Sequence, residues 1–172
     1  MSDSDWLDVA LLALRLWAGI VMLAHGVNHG RSLEGTGRWF ARVGFRQPRL
    51  NALLSAGAEV GIGLALVAGL FTSVAAAGLA ATMAVAFWTI HRFAGFFVFH
   101  RPDEGYEYVA TMALVAFALA VAGPGSVSAD AAFGWADELD GVTGLIVYLS
   151  GLGAAAAQLA VFWRRPGAEE RP

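Results

Sequence analysis

Long apolar runs alternate with short polar segments along the chain, and this pattern predicts membrane-spanning helices. Five runs approach or reach the roughly 20 residues that an α-helix needs to cross the hydrocarbon core of a bilayer. The second and third runs are nearly continuous, and a single helix of about 40 residues would measure ~60 Å, twice the hydrocarbon thickness. We therefore expect a turn at "AGLFTS", around Gly69. The five runs are residues 6–27, 50–70, 73–90, 106–122 and 142–163.

The positions of the arginines support five spans. The first loop carries five arginines, the third loop two and the C-terminal tail three, whereas the second and fourth loops carry none. With five spans, 10 of the 11 basic residues lie on one side of the membrane. Because cytoplasmic loops are enriched in Lys and Arg, we expect the N-terminus outside and the C-terminus in the cytoplasm.

Two shorter apolar segments lie between the spans. "RFAGFFVFH", residues 92–100, is too short to cross a bilayer, and its four phenylalanines indicate an interfacial or re-entrant segment on the cytoplasmic face. "AAFGWADEL", residues 131–139, is its counterpart on the outer face. Both segments are expected to remain at the membrane surface.

The composition agrees with an all-α, polytopic membrane protein that forms one transmembrane domain over residues 1–172. Hydrophobic residues make up 58% of the chain and charged residues 15%, whereas soluble domains carry about a quarter charged residues. The net charge of −3 gives no indication of nucleic-acid binding. The chain has no cysteine, which excludes disulfides, thiolate catalysis and Cys-ligated metal within it. The acidic start "MSDSD" is unlike a cleaved signal peptide, so the first run is expected to stay in the mature protein.

Two ionisable residues are predicted to lie deep in the membrane, Arg15 in the first run and Glu59 in the second. Counted from the shared first loop, they lie at depths of ~18 Å and ~14 Å. Because an isolated charge at mid-bilayer costs about 3 kcal/mol or more, we predict that the two side chains pair inside the bundle. Gly57 and Gly61 form a G-x-x-x-G motif that would let a neighbouring helix approach. The pair could be purely structural, or could also serve as a proton or ligand site.

The histidines form a second feature near the predicted cytoplasmic end. His25 and His29 are four residues apart and share one helix face if the helix continues that far. A metal or bis-His haem site is conceivable, but two histidines are a weak signal, and hydrogen-bonded interfacial histidines are the favoured interpretation. His91 and His100 lie near the same end.

Acidic residues mark the start of the fourth run. Glu104, Glu107 and Thr111 share one helix face. Acidic side chains favour helix N-termini, which accounts for Glu104 but less well for Glu107. A pocket at this end could combine histidine, Glu107 and neighbouring aromatic side chains, namely Trp88, Tyr106 and Tyr108.

Five segments of the sequence, which occur in the same order, resemble the DoxX family of small bacterial integral membrane proteins. They are "LRLWAGIVMLAHG" (14–26), "AEVGIGLALVAGLFT" (58–72), "GFF" (95–97), "GYEY" (105–108) and "GPGSVSAD" (123–130). The resemblance implies a four-helix transmembrane bundle over about residues 7–130, and the helix at about 142–163 is an addition to it. It also implies a bacterial inner-membrane location and a link to thiosulfate:quinone oxidoreductase-type complexes, with quinone as the ligand.

Three functions are compatible with these features. The first is a redox subunit that binds quinone and supports electron transfer from a sulfur, thiol or other donor supplied by an oxidoreductase partner. The second is a non-catalytic membrane anchor or assembly factor, in which loop 31–49 and the "FFVF" segment dock a cytoplasmic partner. The third, a small transporter or channel, lacks support from discontinuous helices or a repeat. For the first, we expect His25, Glu59, His91 and Glu107 to exchange protons, and the quinone-binding residues to be Arg15, His25, Glu59, Trp88, His91 and Glu107.

Overall fold

The computed structural model describes residues 2–99 and 104–166 and contains seven α-helices in this part of the chain. Four helices are long and apolar enough to cross a membrane, namely α1, α3, α4 and α7, while the apolar helix α5 has 16 residues. The predicted all-α membrane fold is confirmed, and the five predicted runs coincide with these five helices to within a few residues. The bounds are α1 Asp3–Arg31, α2 Leu33–Arg42, α3 Pro48–Ala68, α4 Thr72–Thr89, α5 Glu107–Ala122, α6 Ala129–Ala132 and α7 Gly141–Phe162.

Helices α1 and α3 form a close antiparallel pair. A Cβ atom at Gly63 would lie 2.7 Å from the carbonyl oxygen of Gly19, so the two backbones touch at this point. The G-x-x-x-G motif at Gly57 and Gly61 does not mediate this contact, because a Cβ atom at either position would meet nothing within 4 Å. The predicted role of that motif is therefore wrong: the contact lies on the other side of α3, where Gly63 faces α1.

The turn between α3 and α4 occurs at Gly69, as predicted. Gly69 has φ +66° and Phe71 has φ +47°, a left-handed conformation that only glycine adopts without strain. The buried side chain of Asp130 accepts hydrogen bonds from the backbone N–H groups of Phe71, at 2.7 Å, and Thr72, at 2.9 Å. Helix α6, which contains Asp130, thus caps the start of α4.

The core of the bundle lies between α1, α3, α4 and α5, and α7 packs against its outer side. Small residues allow this packing, since Gly151 contacts the backbone of Ala77 and Gly144 contacts the carbonyl of Ala120. Buried apolar side chains fill the core, including Met22, Leu66, Leu79, Met112 and Leu119.

Helix α2 was not predicted. Ser32 caps its start by accepting a hydrogen bond from Gly35 N at 3.2 Å, and its apolar face buries Phe40 against Phe45. The end of α7 is attached to the loop after α2, because Phe45 and Trp163 form an antiparallel β-bridge. Residues 163–166, which follow α7, lie beside the loop after α2 as a result.

The segment after α4 does not span the membrane, as expected. A 3₁₀ turn, His91–Phe93, is followed by turns that fold back on the start of α5, where Glu107 N donates to Phe96 O at 2.9 Å. The side chains of Phe93, Phe96, Phe97 and Phe99 are exposed. The outer segment at 131–139 contains the end of α6 and turns in which Phe133 and Trp135 are exposed.

Candidate functional site

Glu59 is buried in the bundle and its carboxylate contacts His29. The side chain of Glu59 is 5% exposed and that of His29 is 23% exposed, and Nδ1 of His29 lies 2.9 Å from Oε2 of Glu59. Ser55, one turn before Glu59 on α3, donates a hydrogen bond from Oγ to the other carboxylate oxygen at 2.7 Å. The partner of the buried Glu59 carboxylate is therefore a histidine, a type of side chain that can hold or release a proton.

The predicted pairing of Arg15 with Glu59 is wrong. Arg15 is fully buried near the middle of α1, where Nη1 donates to the carbonyl of Leu66 at 3.2 Å and Nη2 donates to the carbonyl of Val127. The register set by the Gly19–Gly63 contact places Glu59 beside His29, about 14 residues or ~21 Å along α1 from Arg15. The prediction failed because it measured depth from residue 27, whereas α1 continues to Arg31.

A cavity of about 340 Å³ adjoins Glu59 on the side of α3 that faces α4. Its walls come from α1, α2, α3, α4 and α7, and most of the lining residues are apolar. The exposed residues Leu54 and Ala58 belong to its lining, so the cavity can be reached from the lipid-facing side of α3. The polar lining residues are His29, Asn51, Ser55, Glu59, Thr82, Thr89 and Gln158.

Most of these polar groups are already hydrogen-bonded within the protein. Thr82 donates to the carbonyl of Gly78 at 3.0 Å, and Thr89 to that of Val85 at 2.9 Å. Asn51 accepts a hydrogen bond from Gln158 at 3.3 Å, which joins α3 to α7. His29 and Glu59 are thus the lining groups with ionisable chemistry.

Aromatic rings surround His29. The ring of Trp39 stacks on it with centroids 6.4 Å apart, and the ring of His25 lies edge-on at 6.2 Å. His25 in turn stacks on Tyr108 at 6.0 Å. The hydroxyl of Tyr108 is buried and has no hydrogen-bond partner among the described residues. His25, which is exposed, therefore connects His29 to the start of α5.

The other predicted site residues lie outside the cavity. Nδ1 of His91 is 2.7 Å from the carbonyl oxygen of Glu104, and Trp88 lies under the guanidinium of Arg92. Glu107 accepts a hydrogen bond from Val98 N at 3.3 Å, so it stabilises the turn before α5. His100 lies outside the described residues. Glu59 therefore lines the cavity and His25 lies close to it, whereas His91, Trp88, Glu107 and Arg15 are not among its lining residues.

His29 was predicted to be either part of a metal pair or, preferably, a hydrogen-bonded interfacial histidine, and Ser55 was not predicted. The signal for Ser55 was its spacing, because residues four apart share a helix face. No cluster of three or more His, Asp or Glu side chains suited to a metal ion occurs among residues 2–99 and 104–166.

Comparison with known proteins gives one match. Residues 10–92 match the model of the DoxX family. This stretch contains most of α1 and all of α2, α3 and α4. It therefore includes His29, Glu59 and most of the cavity lining. No curated protein and no solved structure matches the chain.

Proposed function

We propose that this protein is the integral membrane subunit of a redox complex and that the cavity beside Glu59 binds the head group of membrane quinone. The protein belongs to the DoxX family through residues 10–92. The observation that carries the proposal is the buried contact between His29 and Glu59 at the wall of an apolar cavity that is reached from lipid.

The cavity suits such a ligand in size and lining. Its volume of about 340 Å³ is at the lower end of the roughly 300–1,000 Å³ typical of small-molecule sites. Ligand pockets are mostly apolar with a few polar groups that fix orientation, and here His29 and Glu59 supply them. The opening past Leu54 and Ala58 suits a ligand that diffuses in the bilayer and has a long apolar tail.

Quinone reduction requires two electrons and two protons. The chain has no cysteine and no cofactor motif, so we assign the electrons to an oxidoreductase partner whose donor is a sulfur or thiol compound, or another reductant. The residues of this chain manage the protons: Glu59 and His29 hold a proton at their 2.9 Å contact, and His25, exposed beside His29, exchanges protons with water. Trp39 and Ser55 fix the orientation of the pair.

The proposal is tested by measuring the binding of menadione, a small naphthoquinone, to the detergent-purified protein. Quenching of tryptophan fluorescence should saturate, because Trp39 lines the cavity. Filling the cavity with Ala81→Phe should weaken binding by about tenfold, equivalent to about 1.4 kcal/mol, whereas Ala110→Phe, at an exposed position of α5, should leave it unchanged. Equal binding by both variants would count against this site.

The proton role is tested separately, in membranes that contain the complete complex. Glu59→Gln and His29→Gln should each lower quinone-dependent turnover while menadione still binds. Retained turnover in both variants would show that neither Glu59 nor His29 is needed for proton transfer to the quinone.

The arginine distribution supports an inner-membrane topology with the N-terminus outside and the C-terminus in the cytoplasm. Because the chain has no cysteine, single Ser4→Cys and Arg38→Cys variants can report sidedness with a membrane-impermeant maleimide on intact cells. We expect labelling of the first variant only; labelling of the second would reverse the topology.

The alternative function, a non-catalytic anchor, is favoured by the exposure of Arg42, Arg46 and Arg49 in loop 31–49. Under this alternative, reversing the charges in the loop releases a cytoplasmic partner in a pull-down, and substitution of His25 or His91 has little effect. Loss of function in Glu59→Gln with the partner still bound would favour the redox subunit.

A further inference from the structure

A second apolar groove lies between α4 and α7, separate from the Glu59 cavity. It has a volume of about 490 Å³ and is lined entirely by apolar and aromatic side chains. Its open side is flanked by the exposed Phe87 and Trp88 of α4. Alanines of α7 form most of its opposite wall. The lining is Ala84, Phe87, Trp88, Leu152, Ala155, Ala156, Leu159, Ala160 and Trp163.

Arg92 lies at the end of this groove. Its guanidinium carbon is 3.9 Å from the centroid of the Trp88 ring and 5.8 Å from that of Trp163, and both rings line the groove. The Nε atom of Arg92 is buried and has no hydrogen-bond partner among the described residues. A buried polar group without a partner costs free energy, so this end of the groove favours an incoming acceptor.

Further arginines gather at the same place because the end of α7 is attached to the first loop. Arg165 contacts the Phe93 ring at 4.9 Å, and Arg92 contacts the same ring at 4.5 Å. Arg164 N donates to Gly44 O at 2.9 Å, which brings the tail beside Arg42 and Arg46. These four arginines, Arg42, Arg46, Arg164 and Arg165, line a depression of about 480 Å³.

No carboxylate of residues 2–99 and 104–166 lies within ion-pair distance of any of these five arginines, since the salt bridges in that part of the chain involve other residues. Like charges held together repel one another, and an anion among them lowers the free energy of the cluster. Arginine also binds phosphate through paired N–H groups. The ligand must therefore carry negative charge next to the groove and hydrocarbon inside it.

We propose that this groove and its arginines bind an anionic phospholipid, with an acyl chain between α4 and α7 and the phosphate at Arg92 and Arg165. Basic pockets between transmembrane helices on the cytoplasmic side bind anionic head groups, and tryptophans such as Trp88 and Trp163 favour the membrane interface. The lipid would hold α7 against the rest of the bundle.

Native mass spectrometry of the delipidated full chain, with added phosphatidylglycerol or with phosphatidylcholine of the same acyl chains, tests the proposal. The parent protein should retain phosphatidylglycerol in preference to phosphatidylcholine. Since each arginine near a membrane surface contributes about 1 kcal/mol to binding of anionic lipid, Arg92→Gln should weaken phosphatidylglycerol binding about fivefold. Arg38→Gln, which removes an arginine paired with Glu34, is the charge-matched control and should have no effect.

Two further variants test the arginines and the apolar groove separately. Arg165→Gln lies after the last helix and leaves the bundle intact, so it should weaken phosphatidylglycerol binding even if Arg92→Gln fails to fold. Ala156→Phe fills the groove and should reduce retention of both lipids, whereas Ala13→Phe, at an exposed position of α1, should not. Equal retention of the two lipids by the parent, or unchanged phosphatidylglycerol binding by Arg165→Gln, would overturn the proposal. Equal retention of phosphatidylglycerol by the parent protein and by Ala156→Phe would show that the groove plays no part, and would also overturn the proposal.

Discussion

The contact between His29 and Glu59 predicts a measurable energetic coupling. Replacing His29 with Ala leaves the carboxylate of Glu59 buried without its partner, whereas replacing Glu59 with Gln removes the charge that His29 contacts. A double-mutant cycle with His29→Ala and Glu59→Gln isolates the interaction of the pair. Unfolding free energies can be obtained by titrating sodium dodecyl sulfate into mixed micelles and following far-ultraviolet circular dichroism.

The size of the coupling follows from the geometry. Two unit charges about 4 Å apart interact by about 4 kcal/mol at an effective dielectric constant of about 20. The side chain of His29 is 23% exposed, so water screens part of this attraction. Couplings between residues in contact usually measure about 0.5–3 kcal/mol. We therefore expect about 2 kcal/mol, with His29→Ala the more destabilising single variant, because it leaves the carboxylate unpaired.

Two control cycles in the same chain make the result specific. Arg38 and Glu34 form an exposed pair at 2.6 Å on α2, and exposed pairs contribute little to stability, so their coupling should be close to zero. A cycle of Arg15 and Glu59 should also show no coupling. A coupling below about 0.5 kcal/mol for His29 and Glu59, or a larger one for Arg15 and Glu59, would refute the assignment of the buried pair.

Two other predictions concern the fold. Gly63→Ala places a methyl group against the backbone of α1 and should destabilise the protein by about 2 kcal/mol, whereas Gly57→Ala, which faces open space, should be neutral or slightly stabilising. Thermal unfolding midpoints measure the difference, and equal midpoints would contradict the close helix contact. Asp130→Ala removes the acceptor for the backbone N–H groups at the start of α4 and should lower the free energy of unfolding by about 1–2 kcal/mol. Hydrogen exchange at the amides of Phe71 and Thr72 should become faster. Unchanged exchange would show that these amides are protected by other means.

The helices could be predicted closely because membrane insertion restricts the sequence strongly. A run of about 20 apolar residues has few other stable structures, and the arginine-free turn at Gly69 separates two runs clearly. Helix α2 was missed because the loop was interpreted by its arginines alone. The spacing of Leu33, Gly37 and Phe40, at intervals of four and three residues, is typical of an amphipathic helix and could have indicated it.

The site could be predicted only in part. Burial of Arg15 and Glu59 followed correctly from the cost of charge in a membrane, but their partners depended on the register of α1 against α3. That register is set by the contact of Gly19 with Gly63, and the sequence contains several glycines that could have served equally well. The partners of Arg15 are backbone carbonyls, which have no signature in the sequence.

The attachment of Trp163 to the loop after α2 has a consequence for how the protein is assembled. Gln158 and Phe162, which line the Glu59 cavity, belong to α7, which is synthesised after the other described helices. The cavity therefore gains this wall only after α7 has been synthesised, and a chain that terminates before α7 would insert its earlier helices yet leave the polar side chains around Glu59 open to the bilayer.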